Sequence, residues 1–572
     1  MSSLLNKFVW GIFFLSLIFS FFYFSKQKVQ LAGDISEYYG ITESILSHGN
    51  VNLTPSDQLI LSSKLHPEYF QNPGYYLTGH NSNRYPVHFI FYSVLATPVR
   101  LLLKIFGQNE LLSLIYTNIL LTFSVLFLIF HFFVKSPFSR LVLLTTLIIS
   151  PFLSFLSWPG PDIYYLVLIL LSLFLFSKKY YLLASIITSF ASWHSQPLVI
   201  LSVFFFLFHL FTTNFNFKNK HLYIVLSLKT ILTSIFILFI LIIPYLYNLY
   251  AFSVLTPWTI FKDGWTQISG FGIQNISLKR TFEQIFDLNI GIFWYSPLII
   301  IFGLYYWIRS KKINLWLFIP IILTMIFYQT NPGWHFGTAG FGPSRHIIFI
   351  IPFLIYFLTT SLQPKIKNYF WLILIIISQI FILSQNGLFS PNFENSLNNT
   401  PLAKYILNHY PKLYNPTPEI FIDRTNHTDM GYPTTAIYKN NDVCRKAYVL
   451  ITDKDKLIAE CGYIPSQFID KFNNEFLNKA SFPRTTITTE ATFWPDTQSC
   501  ENWYQTNDQN PYLCLKNLFD VTQNTLITDI SRIKQLEYTG VWRLEHGVPQ
   551  KITIPPGYII HHYSLAGIYV DY

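Results

Sequence analysis

Charge is what this chain of 572 residues has least of for its length: Asp, Glu, Lys and Arg together make up only 12%. So little charge excludes an ordinary soluble globular protein, in which about a quarter of residues are charged. Cysteine is also sparse, and the four present, Cys444, Cys461, Cys500 and Cys514, all lie in the last third. No Cys-x-x-Cys spacing and no His-rich cluster accompanies them, which excludes the familiar zinc and thiol-redox motifs and leaves no metal site or cofactor to expect. An even number confined to one polar region is compatible with two disulfides in an oxidising compartment, their pairing left open. No internal repeat is visible. No small-residue cleavage site follows Phe22-Tyr23-Phe24, so the first apolar segment, 8–24, reads as a retained signal-anchor helix.

Apolar residues fill the space that charge leaves, at 51% of the chain and a mean hydropathy of +0.36. Many separate apolar runs approach or exceed the ~20 residues that cross a bilayer, so the fold class to expect is an α-helical polytopic membrane protein. A formal charge of +10 would suggest nucleic acid in a soluble domain. Here the basic residues sit in short loops between apolar runs, which the positive-inside bias explains without a nucleic-acid partner.

One segment is ambiguous, because 86–106 is long enough to cross yet carries Arg100 and Lys104. Taken as a helix along the membrane surface, it leaves Lys135 with Arg140, Lys178-Lys179, Lys218 with Lys220, Arg309 with Lys311-Lys312, and Lys365 with Lys367 all on the cytoplasmic side. Lys26 and Lys28 dissent. The remaining spans are 110–134, 140–157, 162–177, 179–195, 197–213, 222–247, 290–308, 313–329, 346–361 and 367–385. With the first segment they make about eleven transmembrane helices, the amino terminus inside and the carboxyl terminus exoplasmic. Residues 1–389 then form a transmembrane domain with a first exoplasmic loop at 26–108, and 390–572 an exoplasmic domain. Short β-branched or aromatic runs such as 447–451 and 485–489 make that domain mainly β, or α+β.

Chemistry-capable residues gather on the exoplasmic side of this layout. Asp34 and Glu37 stand three apart where a helix begins after the first span, as an N-cap or as an acid/base pair. Asp162, after Pro159-Gly160-Pro161, reads as an N-cap, and His48 as an ordinary end-of-helix residue. Arg84, Lys262, Arg280 and Arg345 could meet phosphate oxygens, for which guanidinium forks are suited. Arg345 and His346 close a glycine-rich stretch, 333–346, that also holds His335. Such irregular backbone between spans is tolerated where it lines a cavity shielded from lipid. His194, beside Trp193 at a helix end, could meet a headgroup or a sugar.

Three islands carry a family resemblance. Gly33-Asp34-Ile35-Ser36-Glu37-Tyr38-Tyr39 with Ile45-Leu46-Ser47-His48-Gly49-Asn50 resembles the acidic first-loop motif of the glycosyltransferase C superfamily. Asn83-Arg84-Tyr85-Pro86-Val87-His88 is similar to the Tyr-Pro segment of its bacterial members, and Phe341-Gly342-Pro343-Ser344-Arg345 resembles their late Gly-Pro-Arg loop. The islands and the span order cover the first two-thirds of the chain. Two features depart from the family pattern: Ile35-Ser36 separates the two acidic residues, and Val87 follows Tyr85-Pro86 where glycine is common.

The resemblance implies a multi-pass enzyme of the inner or plasma membrane. It would move a hexose or pentose, with inversion and without a metal, from a polyprenyl-phosphate donor to a lipid, glycan or protein acceptor outside the cytoplasm. It implies a catalytic or acceptor-orienting Asp34 and a lipid-phosphate contact at Arg345; Glu37, three residues on, is the second candidate catalytic carboxylate from the residues themselves. Arg84, Tyr85, His88, His194, His335 and His346 complete the expected substrate-binding set. A transporter or flippase would also be polytopic and basic, though repeated halves would then be expected. A non-catalytic assembly protein whose outer domain binds envelope glycans is the third possibility.

Overall fold

A computed structural model describes residues 2–27, 29, 34–64, 76–79, 81–218, 221–224, 228–256, 273–310, 312–331, 333–337, 342–387, 393–428, 434–450 and 454–465, together with the strand segments 519–520, 525–526, 541–545, 548–552 and 567–572. The chain divides into two compact units: Met1–Phe261 with Thr281–Gln329 and Phe336–Ser396, and Lys262–Arg280 with Thr330–His335 and Leu397–Tyr572.

The first unit is helical. Its principal elements are α1 (Ser2–Ser25), α2 (Ile35–His48), α3 (Pro55–Lys64), the hairpin β1 (Tyr76–Thr78) and β2 (Arg84–Pro86), α4 (Phe91–Ile105), α5 (Ser113–Leu128), α6 (Pro137–Ile148), α7 (Asp162–Ser177), α8 (Tyr181–Ser192), α9 (Val199–Asn214), α10 (Leu228–Phe252), α11 (Pro297–Ile308), α12 (Phe318–Tyr328), α13 (Ile350–Ser361) and α14 (Ile366–Gln385). Among the described residues, four helical stretches are long and apolar enough to cross a membrane: Leu4–Ser25, Glu110–Phe133, Thr230–Phe252 and Ile366–Gln385. Seven more apolar helices stand where the sequence suggested further spans, but they run only 10–17 residues. At 1.5 Å per residue they cover roughly 15–25 Å, short of a ~30 Å hydrocarbon core. Among the described residues, helix length and composition alone support four crossings, and the other seven of the expected eleven fall short of that length.

Small and hydroxyl side chains bring these helices together. Ser185 Oγ on α8 donates to the Ser202 carbonyl of α9 at 2.9 Å, and the Ser189 and Ser202 hydroxyls meet at 2.6 Å. Such interhelical bonds give an apolar bundle the specificity that uniform burial cannot. Gly303 lets α11 press on α13, since a β-carbon there would lie 2.9 Å from Leu354 Cβ. Arg140 is buried, with Nε on the Val134 carbonyl at 2.8 Å, Nη2 on the Phe130 carbonyl at 2.7 Å and Nη1 on Asn6 Oδ1 at 2.6 Å. One guanidinium thus satisfies the end of the Glu110–Phe133 helix and ties it to α1.

The ambiguous segment folds as α4. Arg100 lies inside, 2% exposed, between Glu43 of α2 and Glu110, with Nη1 also on Thr42 Oγ1 at 2.7 Å. The charge that set this segment apart in the sequence is therefore a tie between α2, α4 and the start of the next helix. Thr54 and Asp57 close a capping box on α3, Asp57 N donating to Thr54 Oγ1 at 3.2 Å and Thr54 N to Asp57 Oδ2 at 2.9 Å. The same carboxylate oxygen meets His48 Nε2 at 3.0 Å, so His48 joins α2 to α3.

The second unit is mixed. It contains α15 (Pro401–His409), α16 (Pro418–Asn426) and α17 (Lys454–Cys461), and an antiparallel sheet in which β4 (Val443–Leu450) lies between β3 (Ala436–Asn440) and β5 (Gly567–Asp571). The register pairs Ala436 with Tyr448 and Val570 with Ala447. Cys444 on β4 is disulfide-bonded to Cys461 at the end of α17. Two further ribbons pair Phe519–Asp520 with Thr525–Leu526 and Val541–Glu545 with Val548–Ile552. Of the expected strand at 447–451, residues 447–450 belong to the inner strand of the sheet, while 451, 485–489, Cys500 and Cys514 lie outside the described residues.

Candidate active site

Asp34 occupies the N-cap position of α2 but makes no side-chain capping bond. Its Oδ2 instead accepts from both terminal nitrogens of Arg345, 3.3 Å each, across a sequence separation of 311 residues. His88 Nε2 lies 3.6 Å from the same oxygen. The opposite side of that ring is tied to Glu37: His88 Nδ1 meets Glu37 Oε2 at 2.6 Å, and the His88 backbone N donates to Oε1 at 2.7 Å. The spacing that put Asp34 and Glu37 on one side of a helix thus places both carboxylates around one imidazole.

Exposure separates their roles. The Glu37 side chain is fully buried, whereas Asp34 retains 14%, His88 20% and Arg345 29%. Burial pushes the Asp34 carboxyl up, but the charges of His88 and Arg345 outweigh it and hold the group below the usual carboxylate range. Burial dominates at Glu37, which stays above that range despite His88. The His88 imidazole would be lowered by burial, yet Glu37 and Asp34 raise it to about 9. Arg345 holds its proton more firmly than usual, because Asp34 and Asp162 outweigh its own burial. Near neutral pH the site is an ionised Asp34 flanked by two cations.

The framework beneath is polar and satisfied. Asp162 is the first residue of α7 rather than its N-cap, and its Oδ1 accepts from Tyr165 Oη at 2.7 Å. The same hydroxyl lies 3.1 Å from the Arg345 carbonyl. The Arg345 backbone N donates to the Phe336 carbonyl at 3.1 Å, and Ser344 N to that of Ile290 at 3.0 Å, which fixes the turn carrying the guanidinium. Gly40 admits Tyr76 onto α2, since a β-carbon at position 40 would collide with its hydroxyl, which donates to the Glu37 carbonyl at 3.1 Å.

Other expected residues lie elsewhere. His194 Nε2 accepts the Tyr92 N–H at 2.8 Å, so the histidine satisfies an orphan donor in the first turn of α4. Tyr85 is 1% exposed in a small cluster with Ala251 and Phe252. Arg84 sits opposite Thr78 in the hairpin. His346 is buried against the Tyr328 ring, 5.2 Å between centroids. His335 belongs to the second unit, where Nε2 meets Asp423 at 2.9 Å, and Arg280 pairs with Glu419 there. Lys262 and Gly33 lie outside the described residues.

Sequence reasoning passed over Asn118, although a lone carboxamide in an apolar helix was a visible signal. Among the described residues no group of three or more His, Cys, Asp or Glu is arranged to hold a metal ion. Compared with known protein families, curated proteins and solved structures, the chain matches none.

Proposed function

We propose that the chain is a multi-pass membrane glycosyltransferase that takes a sugar from a polyprenyl-phosphate donor. The observation that carries this reading is the pairing of Asp34 with Arg345, a carboxylate and a guanidinium partly open to solvent on a largely apolar helical body. A charge at the edge of a membrane unit is costly unless it has a role. Transfer to a hydroxyl needs both parts of this pair, a base for the nucleophile's proton and a donor set for the departing phosphate.

In this reading the acceptor oxygen attacks the anomeric carbon from the face opposite the phosphate, so the linkage inverts. The carbon–oxygen bond to phosphate breaks with its electron pair going to phosphate, whose charge Arg345 meets. The hydroxyl proton passes to Asp34. Glu37 is buried and committed to His88, and so supports rather than reacts. The seven short apolar helices would complete the crossings by tilt and local thinning of the bilayer, giving eleven with the four long ones. The basic clusters then face the cytoplasm and the site the opposite side.

The test compares lipid-linked sugars in cells with the parent gene, without it, and with Asp34→Asn, at equal folded protein in the membrane. One polyprenyl-phosphate sugar should accumulate both without the gene and in Asp34→Asn. Unchanged lipid-linked sugars, with or without the gene, would reject the transferase and leave a transporter or an assembly protein.

A further inference from the structure

The two cations beside Asp34 are held in different ways, and the difference carries an inference that rests on the transferase reading. His88 is fixed, because its backbone N and ring Nδ1 both engage Glu37, at 2.7 and 2.6 Å, and Glu37 is fully buried. Arg345 is held loosely. Both of its terminal nitrogens reach a single Asp34 oxygen at 3.3 Å, longer than the ~2.7–2.9 Å of a good charge-assisted bond. Its side chain is also the most exposed of the set, at 29%. A planar fork that makes two long contacts to one oxygen would be better satisfied by two oxygens of a phosphate.

We propose that Arg345 is an exchangeable counterion of Asp34, released to the donor's phosphate when the lipid-linked sugar binds, while Glu37 and His88 form a positioning pair that keeps Asp34 ionised through the exchange. In the empty site two cations make Asp34 a weak base. Phosphate removes one of them, and the carboxylate's proton affinity rises at the moment a base is needed. Donor binding thus precedes productive use of the acceptor, and a hydroxyl arriving early meets a masked carboxylate.

The remaining neighbours are compatible with this exchange. Asp162, at the start of α7, acts on Arg345 electrostatically and keeps the guanidinium nearby after it leaves Asp34. His346 adds a weaker positive influence on Asp34, and Glu37 acts with Asp34 on His88. Tyr38 is held neutral by its burial beside Asp34 and Glu37, and Tyr165 donates its hydroxyl to Asp162 Oδ1 at 2.7 Å.

The test reads the protonation of Asp34 directly and needs no turnover. Infrared pH titration of the full-length protein in lipid nanodiscs, as the difference between parent and Asp34→Asn, isolates this carboxyl. Saturating undecaprenyl monophosphate, with binding verified by native mass spectrometry, should raise the midpoint by about one unit, the effect of losing one close opposite charge. Arg345→Gln should start at the raised midpoint and show no lipid response. Arg345→Lys keeps the charge for folding but not the fork, and should give a smaller shift; a full shift would overturn the guanidinium's role. His88→Gln should raise the starting midpoint and retain the response. A parent midpoint unmoved by bound lipid overturns the exchange, and so does absence of lipid binding. An equal shift with inorganic phosphate at the same concentration overturns the lipid-linked source. A protein that changes the lipid-linked sugars of cells yet shows a fixed midpoint would lose the exchange alone, and the transferase reading would stand.

Discussion

Tyr92 donates its hydroxyl to Asn118 Oδ1 at 2.9 Å, and Asn118 donates its own amide to the carbonyls of Trp158 and Gly160, at 2.8 and 3.3 Å. One fully buried carboxamide therefore connects α4, α5 and the turn that delivers Asp162. Asn118→Leu takes the amide from the Trp158 and Gly160 carbonyls and leaves the Tyr92 hydroxyl only the Leu114 carbonyl at 3.2 Å as acceptor, a change expected to cost about 1–3 kcal/mol. Thermal unfolding in detergent should show a clear drop in midpoint. Asn118→Asp, which keeps the shape but offers carbonyls no donor, should be no better. A parental midpoint in both would mean the turn is held by its neighbours.

How much of this was legible beforehand divides along physical lines. Long apolar runs report a non-aqueous surrounding locally, so the positions of α1, α5, α10 and α14 follow from sequence. Asp34 and Arg345 stood out for a related reason, as charges beside membrane segments that had no local partner. The pairing of His88 with Glu37 across 51 residues was not legible, because it depends on how the hairpin β1–β2 docks on α2. Nor could periodicity reveal that Arg100 is buried between Glu43 and Glu110, since a charge in an apolar run reads alike whether it faces water or a hidden carboxylate. Asn118 was missed for want of any charge to draw notice.

His88 gives the site a pH signature in stability. Its folded pKa of about 9 lies above the ordinary 6.5, so the bound proton stabilises the fold. That stability is fully present below about 6.5 and is lost as pH rises through about 9, amounting to a few kcal/mol for this mostly buried ring. Melting temperatures measured across this window should fall in the parent protein. In His88→Gln the curve should be flatter. Glu37→Gln should flatten it too, because Glu37 is the largest source of the upward shift. An unchanged slope in both variants would place the sensitivity elsewhere.

The disulfide in the second unit makes a separate prediction. Cys444 and Cys461 are 17 residues apart, and closing a loop of that size restricts the unfolded chain by about 3 kcal/mol. Peptide mapping of freshly isolated protein without reductant should recover the two cysteines as one linked species. Replacing both by alanine should make the segment 436–461 open to limited proteolysis under conditions in which the parent resists. Recovery of both as free thiols would contradict the pairing and the oxidising compartment proposed for this unit.

The orientation proposed for the chain can be tested along a single helix. α7 begins at Asp162, which acts on Arg345, and is closed by Lys178 at its other end. Sixteen helical residues separate the two ends by about 24 Å at 1.5 Å per residue, most of a hydrocarbon core. If the basic clusters are cytoplasmic, a reporter at Lys178 and one near the site must be reached from opposite faces. Lys178, Arg309 and Asn83 are all exposed, and Asn83 lies in the turn of the hairpin that precedes His88. None of the three touches the Asp34 cluster, so a cysteine at each should leave the fold intact. In a background lacking the four native cysteines, a membrane-impermeant maleimide added to intact cells should label Asn83→Cys and leave Lys178→Cys and Arg309→Cys unlabelled until the membrane is permeabilised. The reverse pattern would put the Asp34 site in the cytoplasm, away from any exoplasmic acceptor. Labelling of all three from outside would mean that α7 does not cross, and that the short apolar helices pack within one leaflet.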